Sequence, residues 1–412
     1  MIRLLTSPPT RAVLRRLRRL FGPGSPKPVP IAPEGADRGK SPDRFLLVAY
    51  FDPHGISTIL ENIYLLGRLS TYRFDVLNLY GKAYPSGLEL PRDLRLQDYD
   101  GLFLHCTVSY NGDNLASLDR QLPLKLRDFE GLKILMKQDE HYRTNRVIDF
   151  IEQNRIDLVL TCVPPEELHK VYPPDRVRHT RFLTVLTGYV SEELRQMSVL
   201  QSDPRPIDVG YRGSLQPFCF GRLAYEKRQI GDAFSEVCRA RGLSFDISSR
   251  WEDRFHGAEW FAFLSRIKAV LGVESGASVF DFTGDIERNV ARYLEKRPKA
   301  SFEEVHDAIL KPYEGDVRYN QISPRHFEAA ACRTVQILYA GDYSGIFEPG
   351  RHYLSLERDF SNLIDVLERF TSPAERMRMT EAAFEEIILD DRYSYSTFVR
   401  QFDQAARLIA SR

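Results

Sequence analysis

The sequence is poor in cysteine and tryptophan and carries no surplus of either charge. Its 412 residues include five cysteines, Cys106, Cys162, Cys219, Cys238 and Cys332. Their number is odd, their spacing is long and irregular, and no CxxC pair occurs. That argues against a disulfide framework or a zinc knuckle and fits a reducing compartment. Lys+Arg and Asp+Glu both number 57. The basic excess of a dedicated nucleic-acid binder is missing, so no nucleic-acid partner is expected. No apolar run reaches about 18 residues, the length needed to span a bilayer. No G-x-G-x-x-G follows any apolar run, which argues against a dinucleotide oxidoreductase.

What is present is ordinary globular composition, 43 % hydrophobic and 28 % charged. At about 100–200 residues per domain, the length points to two or three domains. The N-terminus stands apart. Arg3, Arg11, Arg15, Arg16, Arg18, Arg19 and Lys27 all precede the first acidic residue, Glu34. Within Arg11–Phe21, Val13, Leu14, Leu17, Leu20 and Phe21 recur at helical spacing between arginines. Two readings stand: a short basic helix lying on an anionic membrane surface, or a solvated tail. The arginines interrupt any secretory apolar core. A Pro/Gly-rich linker follows, so residues 1–42 form a leader segment to the globular part.

Beyond it, buried-type strands alternate with helical patterns, which implies right-handed crossovers and parallel sheets. Phe45–Tyr50, Phe74–Leu79, Gly101–Cys106, Leu132–Met136 and Leu158–Thr161 read as strands, with helices over Ser57–Leu69 and Arg146–Gln153. A second set follows Pro204-Arg205-Pro206: strands at Ile207–Tyr211, Leu243–Ile247, Ala269–Val273 and Val335–Tyr339. Helices are expected around Phe234 with Gly242 as C-cap, at Trp260–Ile267, and over Asn362–Phe370, Ala374–Ile388 and Tyr395–Ile409. The fold class is α/β, two Rossmann-like domains. The expected division is 43–203 for the first, 204–389 for the second, and 390–412 as a helix packing back on the first.

In open α/β sheets, ligands sit at the C-terminal ends of strands, so the loops there carry the chemistry. Ser323 suits an N-cap and Pro324 the first helical position. Arg325 and His326 follow in the first turn, where cations oppose the helix dipole unless an anionic ligand is shared between them. Glu328 lies on the same helix, able to accept hydrogen bonds from ribose hydroxyls. Arg212-Gly213 ends a strand with a guanidinium and a tight turn. Glu274-Ser275-Gly276-Ala277-Ser278 follows another, able to contact a sugar or phosphate. In the first half, Gln138-Asp139-Glu140-His141-Tyr142 clusters titratable groups after a strand, and Asp139 and His141 are the expected catalytic pair. His54 and His105 are weaker candidates. No DxD motif stands beside a strand end, and no metal or cofactor is expected.

Phe327–Leu338 (FEAAACRTVQIL) resembles the L-E-A-M-A-C-G-T-P-V-I segment of group 1 glycosyltransferases of the GT-B fold, of the kind found in bacterial polysaccharide gene clusters. Phe220–Lys227 (FGRLAYEK) resembles the same family's G-R-L-x-x-x-K stretch. The resemblance implies two domains facing across a cleft, with a C-terminal helix returning to the first. It implies Glu328 as the ribose ligand and Arg222 and Lys227 as cations on the donor diphosphate. Gly213, Ser275, Gly276, Arg325 and His326 complete the expected donor site. Three departures are visible: Arg333 replaces the family's Gly, Val335 its Pro, and Asn320 its first Glu. Glu274 is the expected stand-in for that missing carboxylate and, with Asp139 and His141, the third expected catalytic residue. The implied activity is metal-independent, hexosyl-type transfer from a nucleotide-sugar donor to a saccharide or lipid-linked acceptor in envelope polysaccharide synthesis. The implied place is the cytoplasm, peripheral at the inner membrane face. A non-catalytic nucleotide-sugar-binding protein or a nucleotide-sugar epimerase is the alternative.

Overall fold

The structure is a computed structural model that describes residues 27–31, 33, 43–52, 57–80, 90–110, 112–122, 124–197 and 205–411. The basic segment Arg11–Phe21 and the loop holding His54 lie outside the described residues.

The first sheet contains β1 (Val29–Ile31), β2 (Arg44–Ala49), β3 (Arg73–Asn78), β4 (Gly101–Leu104), β5 (Leu132–Met136), β6 (Leu158–Thr161) and β7 (Arg181–Thr184). Their order is β1-β3-β2-β4-β5-β6-β7. Strands β2 to β7 pair in parallel, and β1 adds to β3 antiparallel at the edge. Helices α1 (Ser57–Leu69), α2 (Gly112–Gln121) and α3 (Thr144–Asn154) belong to the same unit. The inner strands are mostly apolar without alternation, as Phe45–Ala49 in β2 and Leu158–Leu160 in β6, because both of their faces are covered. Strand β7 is only half-buried and β1 is a three-residue edge piece, so neither leaves a continuous apolar run in the sequence.

The second sheet contains β8 (Ile207–Arg212), β9 (Phe245–Ser248) and β10 (Ile267–Gly272), then β13 (Val335–Tyr339) and β14 (Leu354–Leu356). Two short strands, β11 (Ser275–Gly276) and β12 (Asn320–Gln321), pair separately and antiparallel. The main order is β14-β13-β10-β8-β9, all parallel. Read from the first strand, the order reverses between β8 and β10, and a doubly wound sheet opens its ligand crevice at such a switch point. Around it lie α4 (Arg222–Arg241), α5 (Ala258–Arg266), α6 (Asp285–Lys296), α7 (Pro324–Ala331), α8 (Leu363–Thr371) and α9 (Pro373–Ala383). Strand β10 shows why these runs lack alternation. Ala269 and Leu271 pack with Ile230 and Phe234 of α4 on one face, while Val270 meets Phe263, Leu264 and Ala329 on the other.

Among the described residues, one compact unit holds the chain as far as Val185, then Asp281–Asp285, then Tyr395 onward; the other holds Leu186–Phe280 and Ile286–Ser394. Leu186–Met197, read from the sequence as the end of the first half, packs with the second: Leu194 and Val190 join a core with Phe327 and Ile387. The last helix, α10 (Tyr395–Ala410), belongs to the first unit, as expected. Phe402 is buried among Tyr72, Phe74 and Phe103, with ring centroids 6.2, 6.3 and 5.7 Å away. Beside it, the Asp403 carboxylate accepts from Ser70 Oγ (2.6 Å), the Thr71 amide (2.7 Å) and Thr71 Oγ1 (2.9 Å).

Candidate functional site

The second unit gathers most of the expected residues at the C-terminal ends of β8, β10 and β13. Gly213 follows β8 directly. A Cβ there would lie 2.5 Å from Ser249 Oγ and 2.9 Å from the Lys227 carbonyl, so no larger residue fits. That close approach brings the β8 turn onto α4 at Lys227, whose carbonyl also accepts from Tyr211 OH at 2.7 Å. Lys227 is half-buried. Arg212 is not a ligand-facing cation. It is buried, its Nη2 pairs with both Asp246 oxygens (2.8 and 2.9 Å), and its guanidinium stacks on Phe255 and Phe263.

Helix α7 begins as its sequence predicts. Ser323 Oγ accepts the Arg325 amide (3.4 Å), and Pro324 occupies the first turn. The reciprocal partner in this capping box is His326, whose Nδ1 accepts the Ser323 amide at 3.1 Å. Burial lowers the His326 pKa to about 3. The residue is therefore a neutral cap and not the second cation expected in this turn. Arg325 remains exposed and charged, donates to the Arg212 carbonyl, and stands 5.1 Å from the Trp260 ring centroid.

One turn on, Glu328 is buried and accepts a 2.7 Å hydrogen bond from Trp260 Nε1 on its Oε2. Its Oε1 meets no protein donor among the described residues. Burial raises the carboxyl pKa, opposed by the Trp260 N–H and then by the charge of Arg325. Trp260 is the residue sequence reasoning missed here. It read only as one position of a helix, and its role depends on a pairing 68 residues away.

Glu274 follows β10 and is buried. Its Oε1 accepts the amides of Tyr343 (2.8 Å) and Asp342 (3.2 Å), and its Oε2 accepts Asn320 Nδ2 at 2.6 Å. The carboxylate thus occupies the place beside Asn320, the position where a family Glu was missing. It ties three loops together. The backbone enforces this meeting: Ser275 and Gly276 pair with Gln321 and Asn320. Gly276 takes a φ of +103°, and a Cβ there would lie 1.8 Å from the Tyr319 carbonyl, so only glycine lets β11 close on β12.

Arg222 opens α4, but its guanidinium is held by both Glu303 oxygens (2.9 and 2.8 Å) over the Phe302 ring. The α4 N-terminus is also occupied: the Arg222 amide donates to Glu314 Oε1 (3.1 Å) and the Leu223 amide to Ser278 Oγ (3.0 Å). All four partners lie in the stretch between Val273 and α7. Its own small core includes Val279, Ile286, Phe302 and Leu310. A further pair with no sequence signal is Glu226–Arg358, bonded at 2.6 Å beside Tyr339.

The first-half candidates separate by exposure. Asp139 is exposed, at a φ of +55°. His141 is buried, and its carbonyl accepts the Asp281 amide at 2.9 Å. Glu140 is fully buried and accepts Thr161 Oγ1 (2.5 Å) and the Cys162 amide (3.1 Å). Lys137, unremarked in the sequence because it looks like a surface lysine, is completely buried and donates to the carbonyls of Tyr110 and Asp139. His105 caps a short helix through Thr107 and is held neutral by burial, its pKa lowered to about 3.

Residues 228–404 match the family described as glycosyl transferase-like. The match includes Glu274, Arg325, His326 and Glu328 but stops short of Arg222 and Lys227. Among solved structures, an alpha-glucosyltransferase in complex with UDP is similar at 11 % identity and a TM-score of 0.53, covering 88 % of this chain and 99 % of that one. An alpha-glucosyltransferase in complex with UDP-glucose and DNA containing an abasic site gives 11 % identity, the same coverage and a TM-score of 0.50. At such identities the likeness is one of fold, and that fold is GT-B, two Rossmann-like domains. No curated protein matches the chain.

Proposed function

We propose that this chain, glycosyl transferase-like over residues 228–404 and GT-B in fold, moves a sugar from a nucleotide-diphosphate donor to a saccharide or lipid-linked acceptor in envelope polysaccharide synthesis. The observation that carries the reading is the buried Glu328 carboxylate. Its Oε2 is fixed by Trp260, and its Oε1 is left to accept from ribose, three residues beyond the exposed Arg325 at the start of α7.

The donor's common feature is its diphosphate, which becomes the leaving group. Negative charge grows on it as the glycosidic bond breaks, so fixed cations beside it bind the transition state more tightly than the ground state. In this reading Lys227, Arg325 and the α7 N-terminus supply that positive charge, without a metal. Arg222 reaches the diphosphate only by exchanging Glu303 for phosphate. Glu274 positions the loops that face the donor sugar. On the acceptor side, Asp139 is the exposed candidate for taking a hydroxyl proton, with the buried His141 two residues on in the same loop. The basic segment Arg11–Phe21 would hold the protein at an anionic membrane face, where lipid-linked acceptors lie.

The test is a thermal-shift screen of nucleotide sugars followed by product analysis. A donor at 100 times its Kd adds about 2.7 kcal/mol of stability. No shift with any nucleotide sugar would overturn the reading. A shift with neither transfer nor donor hydrolysis would favour a non-catalytic binding protein.

A further inference from the structure

We infer that Arg254, outside every motif described above, is a donor-binding residue: with Arg325 it forms a pair of guanidinium groups, neither bonded to a carboxylate, that receives a phosphate of the donor nucleotide. This rests on the reading of the second unit as the donor site.

Several arginines of this unit are met by carboxylates. Arg222 pairs with Glu303, Arg250 with Asp253, Arg333 with Glu381 and Arg358 with Glu226. Arg254 and Arg325 form no ion pair among the described residues, although the buried Glu328 carboxylate feels the charge of Arg325. Arg254 Nε is buried and meets no acceptor.

The two side chains are brought to one place by Arg212. The Asp253 carbonyl accepts Arg212 Nε (2.9 Å), and the Phe255 ring stacks on the same guanidinium, so the residues on both sides of Arg254 are pinned to the end of β8. Arg325 reaches the same strand end by donating to the Arg212 carbonyl. Each guanidinium is also braced by an indole: Arg254 lies 4.1 Å from the Trp251 centroid and Arg325 5.1 Å from that of Trp260. Stacking orders a planar guanidinium without using its donors, which stay available for a ligand. Burial, and then the charge of Arg325, hold the Arg254 guanidinium below its ordinary pKa.

Two like charges fixed near each other repel, and an oxyanion between them reverses the sign of that energy. A phosphate matches the forked donors of two arginines, and the donor diphosphate leaves the ribose beside Glu328, on the helix that carries Arg325.

The experiment uses the full chain and titrates UDP, GDP, TDP and ADP calorimetrically. The nucleotide that binds is then compared with its nucleoside and with inorganic pyrophosphate in wild type, Arg254→Gln and Arg254→Lys. We expect Arg254→Gln to weaken the diphosphate about 10- to 100-fold and to leave the nucleoside unchanged. Arg254→Lys should recover part of the loss, as a point charge lacks the fork. The unliganded Tm of Arg254→Gln should equal or exceed wild type, because a repulsion is removed. Equal diphosphate affinity in wild type and Arg254→Gln overturns the assignment, as does an equal loss for the nucleoside. If no nucleotide binds wild type, the donor-site reading itself fails, a different result from either.

Discussion

Glu328→Gln separates what a buried carboxylate does for binding from what it does to the fold. The substitution keeps the shape and one acceptor oxygen for Trp260 Nε1. It removes the charge that a ribose hydroxyl would meet. A hydrogen bond to a charged group contributes about 1.5–3 kcal/mol, so donor affinity should fall about 10- to 150-fold. Stability should move the other way. Burial raises the Glu328 pKa, so the folded state disfavours its ionised form. Stability from such a group is fully present below the unfolded pKa and lost as pH rises through the folded one. At neutral pH the Gln variant should therefore melt at the same temperature as wild type or higher, with the gap closing on acidification. Wild-type donor affinity should also fall on acidification through the raised Glu328 pKa, and the variant should lose that limb. Calorimetry with nucleoside diphosphate and scanning calorimetry across pH measure both sides. A variant that binds donor as wild type does, or one that loses stability at neutral pH, would refute the reasoning.

Phe402→Ala opens a cavity among Tyr72, Phe74 and Phe103 and should cost about 3–5 kcal/mol in the first unit, read as lost hydrogen-exchange protection in β2 to β4 with the second sheet unaffected. Arg333 holds a φ of +48°, pairs with Glu381 at 2.9 Å and stacks 3.8 Å from the Phe384 centroid. Arg333→Ala should lose those contacts and keep the strain, for about 1 kcal/mol, while Arg333→Gly should recover most of it; a lower Tm for Gly than for Ala would contradict this. Removing the residues before Ser41 should abolish cosedimentation with anionic vesicles at low salt, and unchanged binding would refute the membrane role of Arg11–Phe21.

The strands of both sheets were legible because burial on two faces leaves unbroken apolar runs, and β5 and β6 match their expected limits residue for residue. The α7 start was legible because Ser323 and Pro324 act locally. The half-buried β7, the edge strand β1 and the three-residue β14 left no such run. The site was legible only in part, since what a side chain does there depends on distant partners. Glu274 gained its place beside Asn320 through the β11–β12 pairing, and Glu328 gained Trp260 through the packing of α5 on α7. Arg222 fits its motif, yet Glu303 holds it, and no local spacing announces that pair. His326 was read as a cation because sequence gives residue type and not burial.

The first unit's dependence on α10 has a bearing on how the protein is made. Phe402, the ring that covers Tyr72, Phe74 and Phe103, is synthesised about 300 residues after Phe103. At about 5–20 residues per second, the interval is on the order of tens of seconds. Through that time the nascent first sheet presents an aromatic groove, and the Ser70–Thr71 turn lacks its Asp403 acceptor. The second sheet has all of its strands before then. The first unit is therefore completed only after the strands of the second sheet, and a ribosome stalled before Tyr395 would carry a first domain with its aromatic groove open to chaperones or to aggregation.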